Sequence, residues 1–313
     1  MKKILITGGA GNVAGNLACS FVETGNYFVV IVDNLSTGNI SNLPSKKYDN
    51  WKFIKADVNF FEEISPIVVS FQFDYVFHYA AVVGVKRTTD NPIKVLNDVD
   101  GIKNILNLCK STGVKRVFFS SSSEVYGEPV ELPQHEERTP LNSRLPYAIV
   151  KNIGESYLKS YYQEYGLEYT IFRFFNTYGP KQSEDFVVPR FLKAALKGND
   201  ITIYGDGSQT RTFCYVKDNF EVTQSILENG LGINEIINIG HDIEISVLQL
   251  AEFIINLTKS NSKIIHLPAL LEGDMTRRQP DITRMKQILG RELINLETGL
   301  NYLIDKYTID IEI

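Results

Sequence analysis

The sequence predicts an α/β fold, a doubly wound parallel sheet followed by a smaller C-terminal substrate-binding domain. Three observations predict it. Short β-rich runs alternate with helix-length amphipathic stretches through the first half of the chain, and the runs are apolar almost throughout, as in Tyr27-Phe28-Val29-Val30-Ile31-Val32. Such strands belong to a parallel sheet covered by helices on both faces. After about residue 176 the alternation becomes irregular, which marks a second, smaller unit.

Taken in order, strands are expected at 3–6, 27–32, 52–55, 74–78, 115–120 and 169–174, and helices at 12–24, 60–70, 93–111 and 145–165. A helix near 187–197 and a strand at 201–204 follow. The expected boundaries are 1–175 for the first domain and 176–313 for the second, with parts of 217–240 returning to the first. No Pro/Ser-rich linker or repeat separates the halves, so the lobes are expected to pack closely with a ligand between them.

Composition limits what the chain does. With 313 residues, 43% hydrophobic and 22% charged, it is long enough to bury one large or two moderate cores. The net charge of -5 is spread without blocks, so no footprint for nucleic acid or an anionic membrane is present. The three cysteines, Cys19, Cys109 and Cys214, are scattered and odd in number. That argues against a disulfide framework and fits a reducing cytoplasm. The basic start Met1-Lys2-Lys3 is followed by too short an apolar run for a signal or spanning segment. His78, His135, His241 and His266 lack metal-ligand spacing, so no metal is expected.

The stretch Ile4-Leu5-Ile6-Thr7-Gly8-Gly9-Ala10-Gly11-Asn12-Val13 reads as a strand, a glycine-rich turn and a helix start. Gly8 permits the tight turn, Gly11 a close approach, and the free amides at Asn12 and Val13 offer a pyrophosphate site at the positive end of the helix. The second strand ends at Asp33-Asn34, where a carboxylate accepts hydrogen bonds from an adenosine ribose and repels a 2′-phosphate. NAD is therefore expected over NADP. Asp57, with Val58 after the third strand, has two readings, contact with the adenine edge or a cap for the next helix.

The fifth strand runs into Ser120-Ser121-Ser122-Ser123-Glu124, a hydroxyl-rich loop carrying an acid at the ligand edge of the sheet. Tyr147 and Lys151 stand four residues apart at the start of a helix and so share one face. The Lys151 ammonium is expected near the Tyr147 phenol and the cofactor ribose, and its charge, with that of oxidised nicotinamide, is expected to lower the phenol's pKa so that it takes a proton from a sugar hydroxyl.

These residues resemble the extended short-chain dehydrogenase/reductase family, the NAD-dependent nucleotide-sugar epimerases, dehydratases and decarboxylases on a Rossmann fold. The resemblance runs through Thr7 to Gly11, His78-Tyr79-Ala80-Ala81, Ser122 to Gly127, Tyr147 to Lys151, Phe174 to Pro180 and Gly207 to Arg211. It implies Ser122, Tyr147 and Lys151 as catalytic residues, Ala80, Ala81 and Lys151 at the cofactor, and Asn176 and Arg211 on a nucleotide diphosphate. It also implies a homodimer through the helices near 93–111 and 145–165, where Tyr157, Tyr161, Tyr162 and Tyr165 lie. Two departures stand out: Ala14 replaces the third glycine of the turn, and Asp98 stands where the family has Asn. Asp98 bears on either dimer packing or an active-site water.

The resemblance implies oxidation of the sugar C4 hydroxyl to a ketone, because a ketone acidifies the C5 proton and is re-reducible from either face. Three outcomes follow, ranked closely: 4-epimerisation, release of the 4-keto sugar, and decarboxylation or dehydration through Glu124. Glu124 resembles the acid of dehydratases and decarboxylases, and Arg278-Gln279-Pro280-Asp281 resembles the decarboxylase pattern whose Arg handles a substrate carboxylate. The loop Ala80 to Arg87 lacks the decarboxylases' Ser-Pro-rich run, and Ser123 stands where some dehydratases have Asp. A non-catalytic NAD-binding sensor is the alternative from another class, and the retained Ser122, Tyr147 and Lys151 argue against it.

Overall fold

A computed structural model describes residues 1–269 and 276–311. The strand β1 (Lys2–Thr7) passes through the glycine turn into α1 (Asn12–Thr24), and β2 (Tyr27–Asp33) returns beside it. β3 (Trp51–Lys55), α2 (Phe61–Phe71) and β4 (Tyr75–His78) follow, then α3 (Val85–Asp90), α4 (Pro92–Leu96) and α5 (Asp98–Thr112). β5 (Arg116–Ser122), α6 (Pro146–Tyr165) and β6 (Glu168–Phe174) complete the first half. The second half comprises β7 (Thr177–Tyr178), α7 (Val187–Leu196), β8 (Ile201–Tyr204), β9 (Thr210–Thr212), β10 (Cys214–Tyr215), α8 (Val216–Glu228) and β11 (Glu235–Ile239). It ends with β12 (Glu244–Ser246), α9 (Val247–Thr258), β13 (Ile264–Leu267), α10 (Thr283–Leu289) and α11 (Leu296–Ile311).

Seven parallel strands form the central sheet in the order β3-β2-β1-β4-β5-β6-β11. The chain winds outward from β1 to β3, then restarts at β4 on the other side of β1. That reversal opens a crevice beyond the carboxyl ends of β1 and β4. One face of the sheet packs Ile64, Ile102, Ile105 and Leu158 from α2, α5 and α6, and the other packs Leu17, Phe21, Val222 and Met285 from α1, α8 and α10. Phe77, Phe118 and Phe172 stack across β4, β5 and β6 with ring centroids 4.3 and 6.2 Å apart.

The helix expected over 93–111 divides at Asn97, where α4 ends and α5 begins with Asp98 turned inward to the Val82 N–H. Residues 235–239 form the sheet's edge strand beside β6, and α8 covers α1, tied by Ser20 to Gln224 at 2.9 Å. A separate core of Phe191, Leu192, Ile203, Leu250, Ile254 and Leu303 holds the second lobe together. Among the described residues, no helix is long and apolar enough to cross a membrane.

Candidate active site

The first wall of the site is built by neighbouring segments. Gly8 has φ +70, donates its N–H to Val32 O at 2.8 Å, and leaves no room for a side chain, since a Cβ would lie 2.8 Å from the Ala80 N. Gly11 precedes α1 with no side-chain cap, so the first-turn amides, including those of Asn12 and Val13, are left facing the cavity. Ala14 is enclosed in the core beneath them without loss of the helix start. Thr7 clamps the crevice: its Oγ accepts the N–H groups of Tyr79 and Ala80 at 3.1 Å and meets His78 Nδ1 at 2.9 Å. Burial pushes His78 down to about 3, so the ring is neutral.

Asp33 ends β2 with its carboxylate on the cavity wall, accepting the N–H of Ala10 at 3.0 Å and of Leu35 at 2.7 Å. Asn34 donates to Asp57 Oδ2 at 2.9 Å, and Asp57 Oδ1 accepts the Asn59 N–H at 2.9 Å. The capping reading of Asp57 is corrected here, because α2 starts after Phe60 with no side-chain cap and the carboxylate is turned to Asn34 and Asn59 instead. Val58, Ala80 and Ala81 line the same wall.

At the end of β5 three successive serines face three ways. Ser120 Oγ receives Lys151 Nζ at 3.4 Å, Ser121 donates to buried Glu155 at 2.6 Å, and Ser122 accepts the Glu124 N–H at 3.2 Å to start a single 3-10 turn over Ser123–Tyr126. Tyr147 stands in the first turn of α6, behind Pro146, and lines the same cavity as Ser122. One turn on, Lys151 is buried 5.6 Å from the Tyr147 ring centroid and 5.0 Å from that of Phe119.

Burial raises the Tyr147 pKa, Glu124 and Asp98 push it further up, and Ser122 and Arg278 oppose them. Lys151 is pulled down to about 8 by burial, against the upward pull of Asp98. Among the described residues expected at the site, Lys151 alone lies behind the cavity wall rather than on it.

The second lobe and the C-terminal segment close the site. Arg278 is buried with its Nη1 3.5 Å from Glu124 Oε1, and its Nε finds no acceptor. Backbone pairing holds it there: Gln134 N–H donates to Gln279 O at 2.7 Å and Asp281 N–H to Gln134 O at 2.8 Å. Asn176 has φ +23, and its buried Nδ2 likewise lacks an acceptor. Arg211 is buried and donates to Thr210 O at 2.7 Å. All three line one cavity of about 1780 Å³ with Gly8, Asp33 and Tyr147.

Two residues there escaped the sequence reading. Arg190 on α7 lies 5.8 Å from the Tyr204 ring centroid, its Nε without an acceptor. The available signal was a lone cation in the apolar run Val187-Val188-Pro189-Arg190-Phe191-Leu192. Arg87 reaches from α3 to Asp185 of the second lobe at 2.5 Å, across the mouth.

Residues 4–240 match the model of the NAD dependent epimerase/dehydratase family. The chain is 38% identical over 301 residues to a UDP-N-acetyl-alpha-D-glucosaminuronate decarboxylase of Bacillus cytotoxicus, covering 92% of this chain and 91% of that protein. It superposes on a UDP-glucose 4-epimerase of Thermotoga maritima, determined with UDP-glucose, with a TM-score of 0.91, 32% identity and 99% coverage of both chains. A UDP-glucose 4-epimerase of Thermus thermophilus in complex with NAD gives a TM-score of 0.89 at 27% identity, covering 98% of this chain and 99% of that one.

Proposed function

This chain belongs to the NAD dependent epimerase/dehydratase family, and from that premise we propose that it oxidises C4 of a UDP-linked uronic sugar and removes the C6 carboxyl group as carbon dioxide. The observation that carries the reading is Arg278, a buried cation beside Glu124 with an unused Nε, on the same cavity as Ser122 and Tyr147. A guanidinium with spare donors suits a carboxylate of the substrate. Decarboxylation thereby moves ahead of the 4-epimerisation ranked first on sequence grounds, and the name of the Bacillus cytotoxicus relative supports the same order.

The residues present fit NAD. The uncapped start of α1 and the unpartnered Nδ2 of Asn12 suit a pyrophosphate, and Asp33 suits a ribose diol. When bound, NAD supplies the oxidant for C4 and later the reductant. Ser122 orients the C4 hydroxyl and the Tyr147 oxygen takes its proton. The resulting ketone is β to the C6 carboxylate held by Arg278. The C5–C6 bond then breaks, its electron pair runs to the C4 oxygen, and the Ser122 and Tyr147 hydroxyls stabilise the enolate. A proton from solvent reaches C5 by way of Glu124, and Tyr147 gives its proton back to the C4 oxygen as the ketone is reduced.

The Thermotoga maritima likeness favours a second reading, 4-epimerisation of a neutral sugar. Mass spectrometry together with proton NMR of the products from UDP-glucuronate, UDP-N-acetylglucosaminuronate, UDP-glucose and UDP-N-acetylglucosamine separates the two, the mass reading loss of carbon dioxide and the NMR inversion at C4. Loss of carbon dioxide from a uronate is expected. Conversion of a neutral sugar to its 4-epimer with both uronates returned intact overturns the proposal in favour of the second reading.

A further inference from the structure

Glu244 opens β12 and stands behind the wall that carries Arg211 and Arg278 rather than on the cavity itself. Its carboxylate is shared between two segments. Oε1 accepts the Thr210 hydroxyl at 2.7 Å and the Arg277 Nε–H at 3.2 Å, and Oε2 accepts an Arg277 Nη2–H at 2.5 Å. Thr210 opens β9, which pairs with β12 so that Glu244 lies opposite Thr212 and Ile245 opposite Arg211. Each residue that Glu244 holds is therefore the chain neighbour of a cavity arginine, Thr210 of Arg211 and Arg277 of Arg278. The Arg277 side chain is 51% exposed and that of Arg278 only 7%, so the two turn opposite ways. The backbones of the two segments also meet here, where the Thr210 N–H donates to Thr276 O at 3.1 Å.

We propose that Glu244 is a positioning residue that fixes the reach from Arg211 to Arg278, and with it the preference for a nucleotide sugar whose carboxylate stands at that distance from its diphosphate. The proposal rests on the reading of Arg278 as the receptor for the substrate carboxylate. Segment 276–281 is anchored after Arg278 by Gln134, which pairs with Gln279 and Asp281. Before Arg278 it is anchored by Glu128, which accepts the Thr276 N–H at 3.3 Å and its hydroxyl at 3.0 Å, and by Glu244, which joins it to the strand that bears Arg211. A carboxylate suits that junction, because its two oxygens take both arms of the guanidinium and still accept a hydroxyl. A glutamine has one acceptor oxygen and would turn an amide donor toward the guanidinium donors, which opens the fork. β9 keeps its place through the backbone ladder with β12. Loss of the Glu244 charge therefore loosens the carboxylate end of the site and spares the diphosphate end.

The test is Glu244→Gln in NAD-loaded Tyr147→Phe protein, which keeps the aromatic ring and removes the proton acceptor, so that ligands bind without turnover. Calorimetric titration with UDP, UDP-glucose and UDP-glucuronate reads the two ends of the site separately. Affinity for UDP-glucuronate is expected to fall about 10-fold, the scale of one charge-assisted hydrogen bond, while the affinities for UDP and UDP-glucose stay as they were. Arg277→Gln opens the same fork from its other side and gives the same selective loss. In protein already carrying Arg278→Gln, the Glu244→Gln change has no further effect, because it acts through that arginine. A loss that is equal for all three ligands, or that adds to the loss from Arg278→Gln, makes Glu244 merely structural and overturns the proposal. A preference for UDP-glucuronate that Arg278→Gln removes and Glu244→Gln leaves intact also overturns it, with the reading of Arg278 standing. If there is no such preference for Arg278→Gln to remove, the reading of Arg278 fails and the proposal falls with it.

Discussion

Two arginine–glutamate pairs lie within this fold, and they are built to opposite standards. Arg173 and Glu155 are 2% and 1% exposed and meet through two bonds of 2.9 and 2.7 Å. The remaining Arg173 donors reach Tyr126 Oη and Glu136 O, and Glu155 also takes the Ser121 hydroxyl. Every nitrogen of that guanidinium has an acceptor. Arg278 and Glu124 touch once at 3.5 Å, are 7% and 16% exposed, and leave the arginine Nε without an acceptor. A saturated pair fixes structure, whereas an unsaturated pair on a cavity is poised for a ligand. The difference separates scaffold from site more sharply than burial does.

The largest expected effect breaks the saturated pair. Arg173→Met leaves Glu155 buried beside the Ser121 hydroxyl, and unfolding in denaturant should show a loss of about 3–5 kcal/mol. Adding Glu155→Met should recover much of it, since the cost comes from the orphaned charge rather than from the pair as such. A single variant as stable as the wild type would erase the distinction. Next in size, Arg278→Gln should cost less stability than Arg173→Met, because Glu124 is left on the cavity wall rather than in a sealed interior. It should lower turnover of a uronate by roughly 100-fold, the scale of one lost hydrogen-bonded charge contact. Steady-state kinetics alongside the same denaturation curve checks both halves. A variant that unfolds but keeps its rate would reverse the roles of the two pairs.

The smallest effect extends the comparison to an acid held by backbone alone. Asp33 is fixed by two N–H groups and has no cationic partner among the described residues. Asp33→Ser should narrow the preference for NAD over NADP by about 10-fold, through loss of the ribose contact and of the repulsion toward a 2′-phosphate. Fluorescence titration with both cofactors measures it, and an unchanged ratio would remove Asp33 from the selectivity.

Much of the site was legible in the sequence because its parts are local. The glycine turn, the start of α1 and Asp33 belong to one strand–helix–strand run, and Tyr147 and Lys151 lie one helical turn apart. Backbone sterics, helix geometry and the 3.6-residue period act over a few residues, so a linear pattern reveals them. The parallel sheet was legible for the same reason, through continuous apolar strands such as Tyr27 to Val32.

What only the tertiary structure decided concerns groups brought together over long loops. Arg278 meets Glu124 because Gln134 pairs with Gln279 and Asp281, about 150 residues along the chain. β11 joins the large sheet beside β6 although it follows the second lobe's first elements. Asp98, an ambiguous substitution in the sequence, is turned inward to accept the Val82 N–H. Burial, with Glu124 adding to it, raises the Tyr147 pKa. In each case the deciding quantity is desolvation or the distance between charges. Both are properties of the assembled interior, where a low dielectric strengthens each interaction, and neither is written in residue spacing.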